Sequence, residues 1–167
     1  RGGGGGGGRG INVMVLDRYT GIRAEDIRNF DTWSPYGGPH TNFQKLIDYI
    51  NSLPDGSIIA LAIGDEGGFV DSSDRPWNDS YVTAAYQAMH SLGSTKIDKV
   101  RYNGSWAMVV IKGQGVLAEG VSDPGTAVTI QAQPSLTLDP DHGKRASSLS
   151  TLYSFNPFAA MFGAGAI

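Results

Sequence analysis

Hydrophobic positions in the first half of the chain follow two different periods. Ile11 to Leu16 ("INVMVL") is a continuous β-favouring apolar run and predicts a buried strand. The run ends at "DRYTG", where Asp17 and Gly21 bracket a turn into a second extended stretch toward Phe30. Phe43, Leu46, Ile47 and Ile50 recur at helical spacing instead. They predict one amphipathic helix over about 41–53, opened by a Thr41–Gln44 capping box and stopped by "LPDG". "SIIALAI" then returns to a buried strand.

The second half repeats this alternation. Ser80 is the expected cap of a helix whose apolar positions are Val82, Ala85, Tyr86, Met89 and Leu92, with Gly93 at the left-handed terminus. "WAMVVI", "GVLAEGV" and "TAVTIQAQ" read as three strands separated by "KGQG" and "SDPG" turns. Two irregular segments interrupt the pattern, "FDTWSPYGGPHT" and the long polar "GDEGGFVDSSDRPWNDS". The second is longer than a sheet of this size needs for a turn, which makes it a candidate site. After Gln133 the character changes again. No charge follows Arg145, and Leu149, Thr151, Tyr153 and Phe155 alternate with Ser150, Leu152, Ser154 and Asn156 as in a strand. Asn156, Pro157 and the serines break the run, so a membrane span is not expected.

Composition narrows the classes of function. A formal charge of −3, with only 17% charged residues, provides no basic field for nucleic acid. Cysteine is absent, so disulfides and thiolate chemistry are excluded. The Arg1 start without an apolar leader is expected of a processed mature chain, or of an excised piece. Asn78-Asp79-Ser80 and Asn103-Gly104-Ser105 are N-x-S sequons, and make Asn78 and Asn103 candidate glycosylation sites.

"GRGINVMVL", "FDTWSP", "DEGGF", "SLGS" and "SWAMV", in this order and spacing, resemble the interleukin-like EMT inducer family. That family includes PANDER-type secreted factors and the stem domain of protein O-mannose N-acetylglucosaminyltransferase. The resemblance runs from about Arg9 to Gln133. It implies an α+β, mostly β fold: a compact β-sandwich with two short flanking helices, here with extended N- and C-terminal arms. It also implies a non-catalytic module. In the stem domain, sugar contacts come from the arginine of "GRG" and the aspartate opening "DEG", which fall on Arg9 and Asp65. A further arginine precedes the tryptophan of "SWAMV". Without gaps that place holds Asn103, and Arg101 fits if the turn has lengthened. Relatives also carry an extended segment before "GRG" where this chain has seven glycines, so its sandwich is expected to lack strands.

Other chemistry finds little support in the residues. His40, His90 and His142 form no pair at metal-ligand spacing. Adjacent Asp65 and Glu66 point opposite ways in extended backbone, unlike the facing carboxylates of a glycosidase. The acidic loop lacks the order of an EF-hand, and poly-glycine precedes a strand rather than opening a helix. No catalytic residue, metal or cofactor is therefore expected. Trp77 is a candidate for stacking on a sugar, or for covering the core.

The expected organisation is a glycine-rich arm (1–8), the family domain (9–133) and a tail (134–167). An incomplete sandwich and a spare tail strand point to strand donation between copies, carried by Leu149, Thr151, Tyr153 and Phe155, which builds a fibre or surface layer. The first functional expectation is thus a secreted or cell-surface glycoprotein subunit, non-enzymatic, whose partners are other copies of itself. The alternatives are a saccharide-binding module using Arg9, Asp65, Arg101 and Asn103, or a secreted signalling factor.

Overall fold

In the computed structural model, the described residues are 7–34, 38–134, 136, 151–156 and 161–166. The fold is α+β and mostly β. Its centre is an antiparallel sheet of five strands: β1 (Gly10–Leu16), β2 (Arg28–Phe30), β3 (Ile58–Gly64), β4 (Ser105–Ile111) and β5 (Gly115–Ser122), in the order β2-β1-β3-β4-β5. The three central strands β1, β3 and β4 are buried at every position. Burial on both faces is why their sequences are continuous apolar runs rather than alternating ones.

The two faces differ in side-chain size. Ile11, Val13 and Val15, Ile59, Leu61 and Ile63, and Trp106, Met108 and Val110 form the larger face. Against it pack α1 (Asn42–Ser52) and α2 (Ser80–Leu92), through Phe43, Leu46, Tyr49 and Ile50 and through Val82, Ala85 and Met89. Phe43 and Leu46 are fully buried, and each contributes about 1.5–3 kcal/mol of transfer free energy. The predicted helical stripe is thus observed, except that Tyr49 is buried and Ile47 is only half-buried.

The helix ends follow different chemistry from that expected. Thr41 makes no side-chain capping bond, so the capping box does not form. Instead the His40 and Thr41 carbonyls accept the N–H groups of Phe43 and Gln44. At the other end of α1, Lys112 Nζ donates to the Ile50, Asn51 and Leu53 carbonyls, satisfying the last turn from the β4–β5 connection. In α2 the cap is Asp79, not Ser80: its carboxylate accepts Tyr81 N at 2.7 Å and Val82 N at 3.4 Å. Gly93 ends the helix at φ 106°, as its position predicts.

The smaller face, with Ala60, Ala62 and Ala107 among Met14, Leu16, Ile58, Val109 and Ile111, is covered by β6 (Val128–Ala132). This strand does not extend the first sheet. It crosses over β5 so closely that a Cβ at Gly120 would stand 2.6 Å from Val128 Cγ2. Val128, Ile130 and Ala132 point inward and Thr129 and Gln131 outward. A second sheet, β6-β7-β8, continues from it with β7 (Thr151–Asn156) and β8 (Met161–Ala166). The tail strand therefore exists, and its backbone pairs antiparallel with β6 of the same chain: Thr151, Tyr153 and Phe155 stand opposite Ala132, Ile130 and Val128. Leu149 lies outside the described residues.

Candidate functional site

One end of the main sheet gathers the loops that the sequence singles out. Gly10, the first residue of β1, pairs with Gly64, the last of β3, and Ser105 of β4 pairs with Ser122 of β5. Antiparallel order brings residues 7–9, 31–34, 65–74 and 101–104 to this end.

A buried acid locks these loops together. Glu66 is 4% exposed, and its carboxylate accepts Gly68 N at 2.8 Å and Asn103 N at 2.5 Å. Its carbonyl accepts Gly10 N at 3.1 Å. Burial pushes the Glu66 carboxyl up, against the lowering effect of the Asn103 and Gly68 N–H bonds, and the negative charge of Asp65 adds to the rise. Thr32 Oγ1 donates to the Gly67 carbonyl at 2.7 Å. Gly68 has φ +79°, and a Cβ there would meet the Thr32 carbonyl oxygen at 2.2 Å, so only glycine fits.

This lock holds Asp65 exposed at φ 60°, a left-handed conformation that costs a non-glycine residue about 1 kcal/mol or more. Asp74 and Asn103 share that conformation, at φ 60° and 56°. Among the described residues no hydrogen bond occupies the Asp65 side chain.

Beside Asp65 stands Arg9. Its Nε and Nη2 donate to the two Asp31 carboxylate oxygens at 3.0 and 2.7 Å, and its Cζ lies 4.2 Å from the Trp33 ring centroid. The Asp31 bond, then the charges of Asp31 and Asp65, hold the guanidinium charged more firmly than usual, although burial opposes them. Asn29 Nδ2 donates to the Arg9 carbonyl and to Asn12 Oδ1, and Asn12 Nδ2 to the Gly8 carbonyl, so the end of the glycine tract is pinned by side-chain amides.

Arg101 is used differently. Its Nε and Nη2 bond Asp74 Oδ2 at 3.1 and 3.0 Å, and Nη1 lies 3.6 Å from Asp123 Oδ1. The structure thus brings Arg9, Asp65 and Asn103 to one sheet end, linked through Glu66, and ties Arg101 of the same turn to neighbouring carboxylates. Asn78 lies elsewhere, at the start of α2 beside Trp77.

The sequence alone did not single out Asp31, Trp33 or Glu66 as site residues, although Asp31 and Trp33 stand in "FDTW" and Glu66 in "DEGGF". It also missed a pair between buried His40 and half-buried Asp79: His40 Nδ1 lies 3.0 Å from Asp79 Oδ2, with the ring 5.3 Å from that of Trp77. His90 pairs with Asp98 at the surface, and His142 is outside the described residues. Among the described residues no cluster of three His, Cys, Asp or Glu is placed to hold a metal ion.

The interleukin-like EMT inducer family matches residues 9–114, more than half of the chain. The chain belongs to this family. The matched span runs from Arg9 through the β4–β5 turn and contains the whole Arg9–Glu66–Asn103 end. Similar curated proteins include the mouse "Cell migration-inducing and hyaluronan-binding protein", 31% identical over 105 residues, covering 63% of this chain and 7% of that protein. A zebrafish "Cell surface hyaluronidase" is 33% identical over 110 residues, covering 64% of this chain and 7% of that protein. "Protein FAM3C" of Xenopus laevis is 30% identical over 105 residues, covering 63% of this chain and 38% of that protein. The chain therefore spans a small part of the first two relatives and less than half of the third. β5, β6, β7 and β8 lie beyond the residues that the family matches.

Proposed function

We propose that this interleukin-like EMT inducer domain is a non-catalytic, extracellular saccharide-recognition module that reads sugar hydroxyls at the Arg9–Asp65 end of the sheet. The observation that carries this reading is the arginine held over Trp33 by a bidentate bond to Asp31, with the carboxylate of Asp65 near enough for its charge to act on the guanidinium. Arg9 retains N–H groups that Asp31 does not use, and Asp65 accepts from hydroxyls. Such paired donors and acceptors, fixed on a rigid scaffold, are what polyhydroxylated rings require.

The surrounding carboxylates Asp31, Asp65 and Asp74 favour neutral sugars over polyanions. The names of two relatives, hyaluronan-binding protein and cell surface hyaluronidase, support carbohydrate and an extracellular setting as the general context. The non-catalytic reading is supported by Glu66, which is buried and committed to two backbone N–H groups rather than free to act as the acid or base partner of Asp65. No described helix is long and apolar enough to cross a membrane.

A glycan array carrying neutral and acidic saccharides, including hyaluronan oligosaccharides, tests the reading. Wild type is expected to bind neutral glycans, with signals at least about tenfold weaker for Arg9→Ala and Asp65→Ala, a loss of about 1.4 kcal/mol. Hyaluronan incubated with the protein is expected to keep its chain length. Equal signals from all three proteins remove Arg9 and Asp65 from the site, and shortening of hyaluronan overturns the non-catalytic reading.

Self-assembly is a second reading, and the β6–β7 ladder is what favours it. The same register formed between copies preserves every one of its backbone bonds, and residues 133–150 supply a long connection for the exchange. Size-exclusion chromatography of the full chain is then expected to show species larger than a monomer, lost on truncation after Gln133. A monomeric full chain at high concentration excludes the exchange.

A further inference from the structure

We propose that Asn78 carries an N-linked glycan and that its first sugar seats in the adjoining cleft against Trp77. The inference rests on the extracellular reading above, since attachment takes place in the secretory pathway. The chain contains two sequons, and the fold treats them in opposite ways.

In Asn103-Gly104-Ser105 the acceptor geometry is consumed by structure. Ser105 is 1% exposed and its hydroxyl donates to the Thr126 carbonyl at 2.6 Å. Gly104 is folded so tightly that a Cβ would lie 2.8 Å from the Arg101 carbonyl oxygen, and the Asn103 N–H is held by Glu66. The first two restraints would have to open to present this asparagine and this hydroxyl together.

Asn78-Asp79-Ser80 is already presented. Asp79 is extended, with φ −145° and ψ 130°, which turns the side chains on either side of it to the same side of the backbone. Asn78 and Ser80 are both exposed, and both line one cleft of about 290 Å³. Asp79 and His40 also line this cleft, but the Asp79 carboxylate is taken by the His40 N–H and ring and by the first N–H groups of α2, so the middle residue does not compete for the site. The other walls of the cleft include Pro39, Trp77 and Tyr81, two aromatic rings and a pyrrolidine beside the asparagine amide. The Trp77 backbone N–H donates to the Phe69 carbonyl, and its ring packs against that of His40. An apolar wall with a polar rim suits the carbon face and the hydroxyl edge of a pyranose.

In the attachment step, Asn78 Nδ2 forms a bond to C1 of the first sugar of a lipid pyrophosphate-linked oligosaccharide. The C1–O bond to pyrophosphate breaks, the electron pair leaves with the lipid pyrophosphate, and the amide gives up one proton.

The test is secretion of the full chain from insect cells behind a cleavable leader, followed by peptide mass mapping with and without an amide-cleaving N-glycosidase. Glycan is expected at Asn78, lost in Asn78→Gln and in Ser80→Ala and kept in Ser105→Ala. Secreted protein with Asn78 unmodified overturns the proposal while leaving the extracellular reading and the Arg9–Asp65 site standing. For the seat, wild type trimmed to its first sugar is expected to show ring-current shifts of the sugar protons and cross-relaxation with the Trp77 ring. A sugar with free-solution shifts overturns the seat.

Discussion

The Glu66 carboxylate accepts the Asn103 N–H at 2.5 Å across 37 positions of sequence, tying the loop after β3 to the turn before β4. Its other oxygen holds Gly68, so a single side chain maintains the end of the sheet where Arg9 and Asp65 stand. Glu66→Ala leaves two backbone N–H groups without their acceptor and is expected to cost about 2–3 kcal/mol in urea unfolding. Burial raises the folded carboxyl above the ordinary glutamate value near 4.5. The stability from this shift is therefore complete below that value and lost as pH climbs through the folded one. Wild type should show this downward component of stability with rising pH, and Glu66→Gln should not.

Asp79 titrates in the opposite sense. Burial works to raise its carboxyl, but the bonds from the His40 N–H and ring and from the Tyr81 and Val82 N–H groups outweigh it and hold it below the ordinary value near 3.8. Its contribution is complete above that value and lost as pH falls through the folded one. Asp79→Ala removes the cap of α2 together with the His40 contacts and is expected to cost about 2 kcal/mol or more. Asp79→Asn keeps an acceptor oxygen and should cost less, without the acid-side loss. Thermal melts across pH 2–6, an interval of about four units around the ordinary value, distinguish the three proteins.

Gly68→Ala and Gly67→Ala make a paired test of the lock under Asp65. At Gly68 the new methyl meets backbone, the Thr32 carbonyl oxygen, at 2.2 Å, in a left-handed conformation. At Gly67 it meets the end of the Ile63 side chain at 2.8 Å, which can move aside. Gly68→Ala is expected to destabilise by at least about 3 kcal/mol and to abolish saccharide binding, and Gly67→Ala to cost roughly 1 kcal/mol. Denaturant midpoints and the glycan array read both effects.

Glu119 organises the region behind α2 with one carboxylate. It accepts from the Ser94 hydroxyl, the Thr95 and Lys96 N–H groups and Trp106 Nε1 at 2.8 Å. Burial pushes its carboxyl up, but these bonds prevail and hold it below the ordinary range. Glu119→Ala strips the acceptor from a fully buried indole and from the turn after α2, and is expected to cost about 3 kcal/mol. Loss of near-ultraviolet dichroism from Trp106, with the far-ultraviolet spectrum kept, is the accompanying signature.

The main-sheet strands and both helices follow from local pattern. The runs at 11–16 and 58–63 read as buried strands from their length and β-favouring residues, and the stripes at 43–50 and 82–92 as amphipathic helices from their period, because these are local properties. The resemblance in "GRG" and "DEG" names Arg9 and Asp65 as the expected sugar contacts, and the fold sets both at one end of the sheet. The capping of α1 and α2 was not legible, because Thr41 and Ser80 have the right chemistry and the choice between neighbours depends on where the chain enters the helix. Nor was the role of Glu66, whose acceptor duties join residues 37 positions apart.

The amino-acid order alone determined the strands of the main sheet, both helices and the tail strand at β7, though not β8, since side-chain period and backbone preference are written within a few neighbouring residues. Tertiary structure alone decided that β6 leaves the main sheet to cover its alanine-rich face, that the tail strand pairs with β6 of its own chain, and that Trp33 and Asp31 flank Arg9. Those outcomes depend on which surfaces meet once the sheet has formed, and contact between distant residues leaves no local pattern to read.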